Sequence, residues 1–285
     1  MLADLILVAV GVAWVFAAAL FDIRTKEVPD WLSFSFIAMG LGVRSVHSAV
    51  SSDVYFLLYG LAGLAAAFVI GAAFYYSHIW GGGDSKLLLG LGVVFATAPS
   101  FVHPSLPFLA VVTVNILVFG ALYGAIWSSV LLARNFKAVM ARANELFHAT
   151  PALRYAMVAL AAVALVLTAA VEDKFTRILI VALAVSLVLY YLLFVLVKAV
   201  EQVAMCRRTP VSGLRVGDWV AEPVRVRGKV ICGPKDYGLT MDQIDFLRRH
   251  RVRQVVVKEG MAFVPAFALG IAFSLLFGDI LFMLL

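Results

Sequence analysis

Trp80-Gly81-Gly82-Gly83-Asp84-Ser85-Lys86 lies between two long apolar runs, Tyr55–Ser77 before it and Leu87–Val102 after it. That position places a carboxylate and an ammonium at the mouth of a membrane helix, where charge is expensive and usually functional. The three glycines ahead of the acid admit backbone angles closed to other residues and let another chain come close. Working outward from this stretch, the sequence reads as membrane helices that return to an acid.

Composition agrees. Of 285 residues, 64% are hydrophobic and 14% charged, with a mean hydropathy of +1.01. Soluble domains are about half apolar and a quarter charged, so the chain reads as an integral membrane protein. Runs long enough to cross about 30 Å of hydrocarbon fall near Leu5–Phe21, Leu32–Ser48, Tyr55–Ser77, Leu87–Val102, Pro107–Ala133, Ala152–Val171, Ile178–Val200 and Phe263–Leu284. The first is expected to be a transmembrane helix rather than a cleavable leader, because its first charge is Asp4 and no basic segment precedes it.

The net charge of +6 is a matter of topology. If the segment after the first helix faces the cytoplasm, 20 of the 23 Lys and Arg residues lie on that side, leaving Arg44, Lys174 and Arg177 outside. Such a bias fixes orientation in the membrane. It also accounts for the basic residues without nucleic acid, for which no motif is present.

Residues 201–259 alone have a soluble composition. Short alternating runs broken at Gly and Pro suggest strands from Arg215 to Cys232 and from Arg253 to Lys258. Thr240 followed by Gln243 is a capping box opening a helix. The expected organisation is an all-α polytopic membrane protein of about eight transmembrane helices with a small cytoplasmic α+β insert before the last helix. Residues 1–200 form the helical catalytic domain, 201–259 the soluble domain and 260–285 the C-terminal transmembrane helix. In the 134–151 loop, Phe136, Val139, Met140, Leu146 and Phe147 suggest an amphipathic helix lying on an anionic leaflet.

Asp22 ends the first helix in Phe21-Asp22-Ile23-Arg24-Thr25-Lys26-Glu27-Val28-Pro29-Asp30, and Asp84 opens the fourth. Two crossings separate them, so both acids return to one face at similar depth. Two carboxylates that share a proton can hold a water, one as base on it and the other as acid toward a carbonyl. Like charges that close titrate as a unit. Each residue also has a plainer explanation. Asp22 could mark the water interface, Asp84 could cap a helix, and Gly81–Gly83 could be a turn. Glu27 and Asp30 could be solvated loop charges or could bind a basic substrate segment. The five histidines form no HExxH, and Cys206 and Cys232 form no CxxC, so no metal or other cofactor is expected.

Asp22 with Val28-Pro29-Asp30, followed by Gly81-Gly82-Gly83-Asp84-Ser85-Lys86-Leu87, resembles the type IV prepilin peptidase family of GxGD intramembrane aspartyl proteases. The segment Val257–Pro265 resembles its archaeal branch, the preflagellin and prepilin peptidases. The resemblance implies that Asp22 and Asp84 are the catalytic pair of a multi-pass protease in the cytoplasmic membrane. It implies substrates that are archaellin-like or type IV pilin-like precursors, with a short basic leader ahead of an apolar helix. Gly81, Gly82 and Gly83 would then let the substrate backbone approach, and Glu27 and Asp30 would face the basic leader. The bacterial branch often carries paired CxxC motifs and a methyltransferase activity; without those cysteines, methylation is not implied. The rival from another class is a proton-coupled transporter that uses Asp22 and Asp84 as a relay. It would be marked by inverted repeats, and none is evident.

Overall fold

A computed structural model describes residues 1–280 apart from 105, 227, 235 and 237. Arg227 and Lys235, counted above with the cytoplasmic basic residues, and the end of the run expected to reach Leu284 lie outside the described residues. The helices in chain order are α1 (Leu2–Thr25), α2 (Asp30–Ser51), α3 (Val54–Tyr76), α4 (Gly82–Val94), α5 (Phe108–Arg134), α6 (Phe136–Ala149), α7 (Pro151–Leu167) and α8 (Lys174–Ala204). The strands β1 (Cys206–Pro210), β2 (Trp219–Val220), β3 (Val224–Val226) and β4 (Lys229–Cys232) follow, then α9 (Met241–Arg249), β5 (Gln254–Lys258) and α10 (Val264–Leu276).

Five described helical segments are long and apolar enough to cross a membrane: α1, α3, α5, the run Pro151–Ala170 that begins with α7, and α8. The chain is a helical, multi-pass membrane protein. The other three expected spans differ for local reasons. α2 has 22 residues, but Ser33, Ser35, Arg44, His47 and Ser48 dilute its apolar character. α10 has 13 described residues. α4 also has only 13, stopping at Val94 where Leu87–Val102 was expected to continue. Phe95 to Val102 is apolar but contains Pro99, which disfavours helix in the residue before it and removes a donor. Apolar length there overstated helix length.

The chain divides into two compact units, Met1–Ala125 with Gly260–Leu285, and Ile126–Glu259. In the first unit the short helix α4 is the centre. Leu87, Leu88 and Leu91 have no exposed surface, and α1, α2 and α3 all pack on the helix that carries them. The crossing with α3 is close because small residues meet: a Cβ on Gly63 would lie 2.1 Å from the Gly92 carbonyl oxygen. Small-residue crossings of this kind replace the hydrophobic effect as the source of helix association in lipid. Gly63→Val is therefore expected to cost about 1–3 kcal/mol by overpacking. Gly42→Val, where nothing lies within 4 Å, should stay within about 0.5 kcal/mol. Thermal unfolding midpoints in detergent separate the two.

In the second unit α7 and α8 form an antiparallel pair whose outer surface is largely apolar and exposed. Asp173 caps α8, its Oδ2 accepting the Thr176 N–H at 2.6 Å. The apolar side of α6, expected to rest on lipid, instead packs on α8: Val139 and Ala199 are fully buried and Val200 is 3% exposed. Phe136 stays outside this contact and is exposed. Arg142 Nε donates to Gln202 Oε1 at 2.7 Å across the same pair.

Beyond α8 the chain forms an antiparallel sheet in the order β1-β5-β2 and a β3–β4 hairpin. Val211, Leu214, Val220, Cys232, Ile244, Leu247 and Val255 fill its core. The capping box at the start of α9 is formed: Thr240 Oγ1 accepts the Gln243 N–H at 3.3 Å, and Gln243 Oε1 accepts the Thr240 N–H at 2.9 Å. Burial raises the Cys232 thiol above the ordinary range, so it behaves as a small apolar side chain.

Candidate active site

α1 ends one turn beyond Asp22. The Lys26 N–H returns to the Asp22 carbonyl at 2.7 Å, with Lys26 left-handed at φ 58. Glu27 and Val28 follow, and Pro29 in extended conformation starts α2. This tight reversal rests on the first turn of α4. A Cβ on Gly83 would lie 3.2 Å from Val28 Cβ and 3.3 Å from its nitrogen, so the two motif segments touch where glycine stands. Gly83 serves this contact, and none of the three glycines takes an unusual angle. Gly81 is the N-cap of α4 at φ −72, and Gly82 and Gly83 already belong to the helix.

Asp22 is 4% exposed. Its Oδ2 accepts the Val264 backbone N–H at 2.8 Å. Val264 is the first residue of α10, whose early N–H groups have no partner within the helix. The carboxylate of α1 therefore caps the last helix, where a negative charge is favoured. Asp84 is partly exposed, and its Oδ2 accepts the Gly81 N–H at 3.2 Å. Asp84 is not the N-cap itself, which is Gly81, but the third residue of the helix, reaching back to the N-cap N–H. α1 packs on α4, and the reversal that follows Asp22 meets α4 at Gly83, next to Asp84, so the helix end and helix start that carry the two acids lie side by side.

The wall of this site is aromatic. Trp80 is 3% exposed and stacks on Phe74 with centroids 4.5 Å apart, with Phe267 at 5.3 Å and Phe263 at 6.0 Å. Asp30 is exposed and already paired: its Oδ1 accepts from Lys86 Nζ at 2.6 Å. Glu27 is exposed on the same reversal. Among the described residues no three His, Cys, Asp or Glu side chains group as metal ligands. Sequence reasoning missed the Val264 donor and the aromatic wall. Pro265, one residue into an apolar helix, was the available signal for a helix start that needs a cap.

Asp22, Val28, Gly83 and Asp84 all fall in residues 9–134, and that stretch matches the model of the type IV leader peptidase family. The chain is 27% identical over 97 residues to a preflagellin peptidase of Methanocaldococcus jannaschii, covering 34% of this chain and 41% of that one. It is 30% identical over 95 residues to a preflagellin peptidase of Methanococcus maripaludis, covering 33% and 40%. A prepilin peptidase, EppA, of Methanothermobacter thermautotrophicus is 28% identical over 105 residues, covering 37% and 27%. The chain thus spans about two fifths of the length of the preflagellin peptidases it matches. No solved structure gives a significant match. α10 and the donor to Asp22 lie outside the matched stretch.

Proposed function

We propose that the protein is an intramembrane aspartyl endopeptidase. It removes the short basic leader from archaellin-like or type IV pilin-like precursors at the cytoplasmic face of the cell membrane. The observation that carries this reading is the contact of the Asp22 reversal with α4 at Gly83, beside Asp84, within a segment that matches the leader peptidase family. One carboxylate, ionised, takes a proton from a water held between them, and the hydroxide attacks the scissile carbonyl. The other, protonated, gives its proton to the carbonyl oxygen. Collapse of the tetrahedral intermediate breaks the C–N bond: the proton taken from water goes to the leaving amine, and one hydroxyl proton of the intermediate returns to the second carboxylate as the C=O re-forms. Gly81, Gly82 and Gly83 leave room for a substrate backbone beside Asp84. Glu27 offers a negative charge to the leader, and Asp30 offers another once a basic side chain of the leader displaces Lys86.

The test is leader removal from a tagged precursor, read as a mobility shift, with the full chain in membranes. Both an archaellin-type and a pilin-type precursor are tried. Absence of cleavage of either kind would overturn the reading. Because both catalytic groups are carboxylates, treatment with EDTA or 1,10-phenanthroline is expected to leave the rate within about twofold, whereas loss of a general acid or base costs about 10²–10⁴.

A further inference from the structure

The mechanism above uses one end of α4 and leaves the other unexplained. There, Arg44 of α2 has no exposed surface although it is charged. It is not a solvated residue of the outer face, as the charge count placed it. Its Nε donates to the Val93 carbonyl at 2.7 Å and its Nη2 to the Val94 carbonyl at 3.2 Å. Nη2 also reaches Thr97 Oγ1 at 3.1 Å, and Nη1 donates to the Phe56 carbonyl of α3 at 2.7 Å. The guanidinium lies over the Phe56 ring, 4.6 Å from its centroid, and Asp4 of α1 interacts with it electrostatically.

Val93 and Val94 are the last two residues of α4, so their carbonyls have no partner within the helix. At membrane depth water cannot supply one, and non-helical backbone is tolerated only where protein satisfies it. A guanidinium is suited to this place, with several donors in a rigid fork and a positive charge at the negative end of the helix dipole. Arg44 thereby ties the end of α4 to α2 and α3. Asp84 stands ten residues earlier on the same helix, about 15 Å along its axis. A helix is stiff over that length, so whatever fixes its far end fixes the height of Asp84.

We propose that Arg44 is a positioning residue for the proposed reaction: through its bonds to the end of α4, it sets the axial position of Asp84 relative to Asp22. This inference rests on the two-aspartate reading. It assigns Arg44 no contact with substrate, and its effect belongs to the chemical step rather than to binding.

The experiment measures kcat and KM for the full chain in membranes with a tagged precursor, for Thr97→Val, Arg44→Lys and Arg44→Gln, beside Asp84→Asn. Thr97→Val removes one acceptor and is expected to lower kcat about 3-fold. Arg44→Lys keeps the charge but not the fork and should lower it about 10-fold. Arg44→Gln should lower it about 100-fold, the order of loss that a displacement of about 1 Å from remote mutation produces. KM should stay within about twofold throughout. If Arg44→Gln fails to fold, the two milder variants carry the test, with kcat normalised to folded protein. Wild-type kcat in both, or loss confined to KM, overturns the proposal. Should Asp84→Asn remain active, the two-aspartate reading itself has failed and this inference falls with it. An inactive Asp84→Asn beside fully active Thr97→Val and Arg44→Lys sinks the inference alone.

Discussion

Asp84→Asn and Asp22→Asn are each expected to lower the rate of leader removal by about 10²–10⁴-fold, the usual contribution of a general acid or base. The substitutions are chosen to spare the fold. An asparagine at position 22 retains an oxygen that can accept the Val264 N–H, which in the native protein is 2.8 Å from Oδ2. One at position 84 can still accept from Gly81, now bonded to Oδ2 at 3.2 Å. What is lost is the capacity to hold and exchange a proton. Asp22→Ala differs in kind. It leaves the N–H at the head of α10 unpartnered in a buried site and should cost about 1–3 kcal/mol of stability as well as activity. Single-turnover rates of the mobility shift, set beside thermal unfolding midpoints, separate the two effects. A single Asn variant that processes at more than about a tenth of the wild-type rate is incompatible with the pair mechanism.

Trp80→Ala is expected to cause the largest loss of stability of any single truncation near the site, about 3–5 kcal/mol. The ring is 3% exposed and has three aromatic neighbours, one of them 4.5 Å away. Its removal empties the space between the turn that precedes Gly81 and the first turn of α10, which gives Asp22 its hydrogen bond. Processing should fall together with the unfolding midpoint, and Trp80→Phe should recover part of both. A Trp80→Ala protein with a wild-type midpoint would show that the aromatic wall is not a load on the structure.

Much of the first unit was legible from residue pattern. α1, α3 and α5 fall within a few residues of the apolar runs, because uninterrupted apolar length in a membrane chain allows little except helix. Thr240 and Gln243 marked the start of α9 because a capping box is a local device. Two of the failures have a common cause. The burial of Arg44 and the covering of α6 by α8 depend on partners about 50 to 60 residues away in sequence, Val93 and Val94 for Arg44 and Ala199 and Val200 for Val139. In the site, both acids and the contact at Gly83 come from motif segments that sequence can display. The N–H of Val264, 242 residues from Asp22, is a backbone group common to nearly every residue type and carries no compositional mark.

α8 has 31 residues, about 46 Å of helix, against about 30 Å of hydrocarbon. Upright, roughly a third of it must overhang the bilayer. Its last turns nevertheless carry Leu196, Ala199, Val200 and Val203, side chains that water would not tolerate in the open. α6 supplies the missing apolar cover there, with Val139 against Ala199 and Val200. The pair makes a two-helix post with a dry seam. On top of it, Lys258 Nζ meets Glu201 Oε1 at 2.9 Å and the Glu259 N–H meets the Met205 carbonyl at 2.7 Å. The small β-sheet module is thus joined to the end of this post by an ion pair and a backbone hydrogen bond as well as by the chain itself.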